Sequence, residues 1–244
     1  MRIPRICVFD TLGSGMEIVL PPQAGEHLAR VLRLERGHPI LLFNGNGREY
    51  RAEISQLAKR AVSARVLDDG ERVDRESPLQ LTLAQGVARG EKMDLILQKA
   101  TELGVSRIVP LITGRTEVKL DAERTARRLA HWQAVIAGAC EQCGRATLPT
   151  LDPPVRLATW AATLDQSGGL RLALDPDGNV SPRTLPAFDV ATLVVGPEGG
   201  LSEQDLNLLD QADFTGLRLG PRILRTETAG LAAITALQAI HGDI

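Results

Sequence analysis

Residues 193–233, LVVGPEGGLSEQDLNLLDQADFTGLRLGPRILRTETAGLAA, hold two units back to back, each a strand, then a glycine-rich turn, then a helix. The apolar run Leu193, Val194, Val195 stops at Gly196-Pro197-Glu198-Gly199-Gly200, and Ser202 with Asp205 three residues on reads as a capping box opening a helix. In the second unit Leu217 and Leu219 lead into Gly220-Pro221-Arg222, and a helix of small residues begins near Thr226. Turns without side chains let a ligand lie against bare N–H and C=O groups, and open α/β sheets bind ligands at the carboxyl ends of their strands. The two turns are therefore expected to meet in a small-molecule site built largely from main chain.

Working outward, strands alternate with helices back to residue 79. Leu79–Ala84 reads as a strand and Met93–Leu103 as a helix capped by Gly104. Ile108–Ile112 is a second strand, and Asp121 opens an arginine-rich helix running to Cys143. Val155–Leu164 reads as a helix and Leu170–Leu174 as a strand. This rhythm predicts an α/β domain with a mostly parallel sheet covered by helices on both faces. The charged, proline-closed stretch over residues 71–78 reads as a linker. Before it, over residues 1–70, short β patterns at Ile6–Phe9, Glu17–Leu20, Ile40–Phe43, Tyr50–Leu57 and Ala61–Leu67 predict a small β-barrel-like domain. A short helix at Glu26–Arg33 interrupts these patterns, and Asn44-Gly45-Asn46-Gly47 marks a hairpin.

The 244 residues are 43% hydrophobic and 24% charged, which is ordinary for a globular protein. Residues 1–65 carry 10 Lys and Arg against 6 Asp and Glu, while the whole chain has a net charge of −2. A basic module joined to an acidic one either faces a polyanion or bears solvated arginines. Aromatic residues make up only 3%, so contact with nucleic acid would rest on arginine rather than on stacking. No apolar stretch approaches the roughly 18 residues of a membrane span, no signal-peptide region follows Met1, and three cysteines fit a reducing compartment, so a cytoplasmic protein is expected. Cys140 and Cys143 form one C-x-x-C without a second pair for zinc and read as small helix-end fillers. No G-x-G-x-x-G, Walker, H-E-x-x-H or G-x-S-x-G motif occurs, which argues against dinucleotide enzymes, P-loop NTPases, zinc proteases and serine hydrolases. Arg222, Arg225 and Glu227 crowd the start of the last helix, where arginine opposes the helix dipole and calls for a partner.

Gly196–Gly200, Leu219–Ala229, Arg89-Gly90-Glu91-Lys92-Met93, Gln98–Val105 and Glu141-Gln142-Cys143-Gly144-Arg145 together resemble the RsmE family of SPOUT-class methyltransferases, which modify N3 of a uridine in 16S ribosomal RNA. Met1–Arg5 and Arg30-Val31-Leu32-Arg33 are similar to that family's PUA-like domain, so the resemblance spans the chain. Gly114-Arg115-Thr116 is a mild departure from the family pattern. The resemblance implies a trefoil knot in residues 79–244, S-adenosylmethionine as methyl donor, a homodimer, and small-subunit rRNA as partner, with no metal and no membrane. By the same likeness, adenosine sits among the loops after Leu174, Val195 and Leu219. Main-chain groups of Gly196, Gly199, Gly200, Gly220 and Leu224 bind it, and Thr228 lies beside them. Arg225 then stabilises the uridine anion and Glu227 or Glu198 takes the N3 proton, while Arg2, Arg5, Arg30, Arg33 and Arg222 contact RNA.

Overall fold

The computed structural model describes residues 3–58, 61–117, 122–164 and 169–244, so Arg2 and the expected helix cap Asp121 lie outside the described residues. The chain divides into two compact units, Met1–Glu76 with Cys140–Leu148, and Ser77–Ala139 with Pro149–Ile244.

The first unit is built on β1 (Arg5–Cys7), β2 (Glu17–Val19), β3 (Pro39–Phe43), β4 (Arg48–Leu57), β5 (Val62–Val66) and β6 (Glu71–Arg72). They form one sheet in the order β1-β3-β4-β5-β2, with β6 on β4. Ile6, Ile18, Leu28, Leu42, Ile54 and Ala64 fill its core. The β3–β4 hairpin turns where Asn44–Gly47 was expected to, with Gly45 and Gly47 at φ 87° and 79°. Two expectations change here. The helix starts earlier than Glu26, as α1 (Pro22–Glu26), because Pro22 supplies a preset φ at its first position; it then widens into a π-helical turn over His27–Val31. Within the stretch read as a linker, Glu71 and Arg72 pair with Glu49 and Arg48.

The second unit holds β7 (Gln80–Gly86), α2 (Glu91–Glu102), β8 (Arg107–Ile112), α3 (Ala122–Cys143, whose last turn belongs to the first unit), β9 (Thr150–Leu151), β10 (Val155–Arg156) and α4 (Leu157–Ala161). It continues with β11 (Leu170–Leu174), β12 (Val190–Val195), α5 (Glu203–Gln211), β13 (Thr215–Leu217) and α6 (Thr226–His241). The sheet order is β10-β8-β7-β12-β11-β13 with β9 on β8, and its pairings are parallel. Alternation along β12 puts helices on both faces. Val194 packs with Trp160 of α4 and Leu209 of α5, whereas Val195 lies under Gly230 of α6. The segment read as one helix over Val155–Leu164 opens instead as β10, paired with Leu111 and Ile112, before turning into α4.

Candidate active site

Two loops decide the site, the one joining β12 to α5 and the one joining β13 to α6. Gly196 is buried where the first loop folds back on itself: a Cβ there would lie 2.7 Å from the Gly200 carbonyl carbon and 2.8 Å from Leu201 N. Gly200 closes the turn at φ 71°, donating its N–H to the Pro197 carbonyl at 2.9 Å. The box at Ser202 forms as read, with Ser202 Oγ accepting from Asp205 N at 3.1 Å and Asp205 Oδ2 accepting from Ser202 N at 2.9 Å. Asp205 also accepts the Gly114 N–H, and Arg115 Nη1 donates to the Gly199 carbonyl at 2.8 Å, so the segment after β8 is pinned to the same loop.

The second loop joins the first through one hydroxyl. Thr226 Oγ1, buried at the start of α6, donates to the Gly196 carbonyl at 2.6 Å and accepts from Gln85 Nε2 at 3.0 Å. Between the loops and the end of β11 lies a cavity of about 500 Å³, within the usual range for small-molecule sites. Leu174, Val195, Leu217 and Leu219 give it apolar walls, and Gly196, Gly199, Gly200 and Gly220 give it bare backbone. Leu224, Arg222, Arg225, Glu198 and Glu227 also line it. A side chain at Gly220, where φ is 100°, would meet nothing within 4 Å, so that backbone faces open space. These walls fit an adenosine: apolar flanks for a base, and the backbone of the glycine turns for its edge and sugar.

The two candidate carboxylates differ. Glu198 Oε1 accepts the Arg89 N–H at 3.0 Å and lies 3.5 Å from Lys92 Nζ. Burial pushes its pKa up, but the N–H groups of Arg89 and of Glu198 itself, together with the Lys92 ammonium, outweigh this and hold the carboxyl below its ordinary range. Glu227 Oε2, in contrast, is buried with no hydrogen-bond partner, and Lys92 Nζ is 4.0 Å away. Arg222 and Arg225 line the cavity, are exposed, and form no ion pair among the described residues, which leaves both guanidiniums open to a ligand.

Two assignments change, those of Thr228 and Arg5. Thr228 is exposed on the first turn of α6 and does not line the cavity. Arg5 is not a phosphate contact: it is 8% exposed, bonded to Glu49 and to the carbonyls of Cys140, Glu141 and Arg145, and its guanidinium stacks 4.7 Å from the Phe43 ring centre. Arg30 is exposed but shares its charge with Glu26 at 2.7 Å, while Arg33 is exposed in the left-handed region at φ 52°. Sequence reading missed Gln85, Lys92, Arg115 and Thr226 as site residues. The signal for Gln85 was a polar side chain following Leu83 and Ala84 near the end of the strand, and for Lys92 a cation in the first turn of a helix. Among the described residues no cluster of three or more His, Cys, Asp or Glu side chains is placed to hold a metal.

A family model described as RNA methyltransferase domain matches residues 75–238, and one described as RNA methyltransferase PUA domain matches residues 20–67. The fold and site thus define an RNA methyltransferase with a PUA module. Ribosomal RNA small subunit methyltransferase E of Buchnera aphidicola is 31% identical over 100% of this chain and 98% of its own length; that of Bacillus subtilis is 31% identical over 89% of each. Two solved structures cover 100% of both chains, a putative methyltransferase of Legionella pneumophila with bound cofactor SAM (41% identity, TM-score 0.93) and the Neisseria gonorrhoeae ribosomal RNA small subunit methyltransferase E bound to S-adenosyl methionine (36%, 0.88). The chain belongs to the ribosomal RNA small subunit methyltransferase E family.

Proposed function

We propose that this protein transfers a methyl group from S-adenosylmethionine to N3 of a uridine in 16S rRNA of the small ribosomal subunit. The observation that carries the reading is the meeting of the two glycine loops in one main-chain cavity whose lining includes Glu227 and Arg225. The donor supplies a methyl group already activated on a sulfonium sulfur. The rest falls to the chain: to hold uracil in line for attack, to take the N3 proton and to steady the resulting anion. Glu227 is the better base, because its Oε2 keeps an open lone pair while Glu198 is engaged by Arg89 and Lys92. Arg225, exposed and unpaired beside it, can face the charge that spreads onto the uracil oxygens.

The same proposal includes the trefoil knot, a homodimer and a cytoplasmic setting. The knot is supported by the out-of-sequence neighbours β7-β12-β11-β13 and by α6 returning beneath β12. The homodimer is supported by Ile223, which stands 85% exposed between Arg222 and Arg225, an apolar side chain that a second subunit would cover. Among the described residues no helix is long and apolar enough to cross a membrane. The test is methylation of small subunits from a strain lacking the modification, followed by mapping of the product. Methyl-N3-uridine at a single rRNA position is the expected result, and methylation of a ribose hydroxyl or of transfer RNA alone would refute the proposal.

A further inference from the structure

Lys92 stands out once the two carboxylates are placed. It sits in the first turn of α2, where Glu91 and Asp94 complement the helix dipole and a cation opposes it, so its position is not explained by helix stability. Among the described residues it is the one cation within 4.0 Å of either carboxylate, with Nζ 3.5 Å from Glu198 Oε1 and 4.0 Å from Glu227 Oε2. The asymmetry matters. An ammonium at hydrogen-bond distance would occupy the Glu227 lone pair, whereas at 4.0 Å it balances the charge and leaves the oxygen open. Glu198 is itself fixed by the Arg89 N–H just before the helix, so the ammonium is anchored on one carboxylate while facing the other.

We propose that Lys92 is a positioning residue for methyl transfer: held by Glu198, it offsets the like charges of Glu198 and Glu227 and keeps Glu227 Oε2 unbonded in the cavity lining. This role rests on the function proposed above. In the step it serves, the N3 proton passes to Glu227 Oε2, the N3 electron pair forms the new bond to the methyl carbon, and the methyl–sulfur bonding pair stays with sulfur. Lys92 keeps its protons throughout, and the three side chains pass from a summed charge of −1 to zero.

The experiment compares full-length wild type, Lys92→Met and Lys92→Arg for methylation of unmodified small subunits, with S-adenosylmethionine binding followed by calorimetry. Lys92→Met should lower kcat on the order of 100-fold, while KM for the subunit and Kd for the donor move less than about threefold, and Lys92→Arg should recover at least about a tenth of the wild-type rate. A Lys92→Met enzyme as fast as wild type overturns the role. So does a loss seen mainly in donor affinity, which would make Lys92 a cofactor contact, or an arginine variant no better than methionine. A wild-type protein that methylates nothing overturns the function itself, and this role with it, whereas an active wild type beside an equally active Lys92→Met removes Lys92 alone.

Discussion

At the scale of single residues the site separates groups by what they leave open. Glu227 has a buried oxygen with no bond whereas Glu198 Oε1 is engaged by the Arg89 N–H and by Lys92, so Glu227→Gln should lower the methylation rate by about 10²- to 10⁴-fold with donor affinity nearly unchanged, as read by single-turnover assay and calorimetry. Glu198→Gln should cost less in rate. Far from the chemistry, Glu141 shows the opposite electrostatics. Burial raises its pKa, against the Cys7 N–H it accepts at 2.9 Å and the nearby charges of Arg5 and His27. A carboxyl raised in the fold adds stability that is complete below its unfolded pKa and is lost as pH rises through its folded one. Glu141→Gln keeps an acceptor for Cys7 and removes that loss, so thermal melts between about pH 4 and 7 should show a flatter decline for the variant, with equal or higher stability at the upper end. Arg5 belongs to the same neighbourhood. Its sequence context, Arg2-Ile3-Pro4-Arg5 in a basic N-terminal stretch, reads as a phosphate contact; only the fold brings it the carbonyls of residues 140, 141 and 145.

At the scale of elements, β7 and the loop after β12 depend on each other. Gly86 ends β7 against that loop, and a Cβ on it would sit 2.5 Å from Pro197 N and 2.9 Å from the Gly196 carbonyl carbon. Backbone cannot step aside as a flexible side chain can. Gly86→Ala should therefore cost about 1–3 kcal/mol, and because the backbone it displaces lines the cavity, part of the cost should appear as donor affinity weakened about tenfold or more by calorimetry. The elements readable in sequence were those whose signals are local. The apolar runs of a sheet buried on both faces gave β11 and β12, Ser202 with Asp205 gave the start of α5, and Gly104, at φ 84°, gave the end of α2. What stayed hidden needed a distant partner. Val155 and Arg156 are a strand only because Leu111 and Ile112 run beside them, and the latch of Gln85, Thr226 and Gly196 joins residues 30 to 141 positions apart. The glycine loops announced a site, but which carboxylate keeps a free oxygen follows from the packing of α2 beside them, which no spacing encodes.

At the scale of the molecule, charge and chain path carry the remaining expectations. Arg30 is exposed in the basic N-terminal unit, where its pair with Glu26 is worth little to stability. Arg30→Gln should leave the melting temperature unchanged but weaken RNA binding and flatten the slope of log K against log salt by about 1, measured by titration at several ionic strengths. The chain path makes a sharper prediction. The N-terminal unit is not a contiguous segment, since residues 140–148 complete it. They supply the carbonyl partners of Arg5, the Arg145 guanidinium that pairs with Glu76, and the Ala146 carbonyl that accepts the Gly47 N–H. A fragment ending at residue 76 keeps every strand of the first sheet and the Arg5–Glu49 pair, yet leaves Arg5 without its three carbonyl partners and Glu76 without Arg145. A hydrogen bond to a charged group contributes about 1.5–3 kcal/mol, so losing several at Arg5 removes a large share of what a domain of that size holds in reserve. Fragment 1–76 should accordingly show a broad, low-temperature melt by circular dichroism, and adding residues 140–148 through a short glycine-serine linker should restore a cooperative transition. A sharp melt for 1–76 alone, unchanged by the added segment, would show that the unit closes without it.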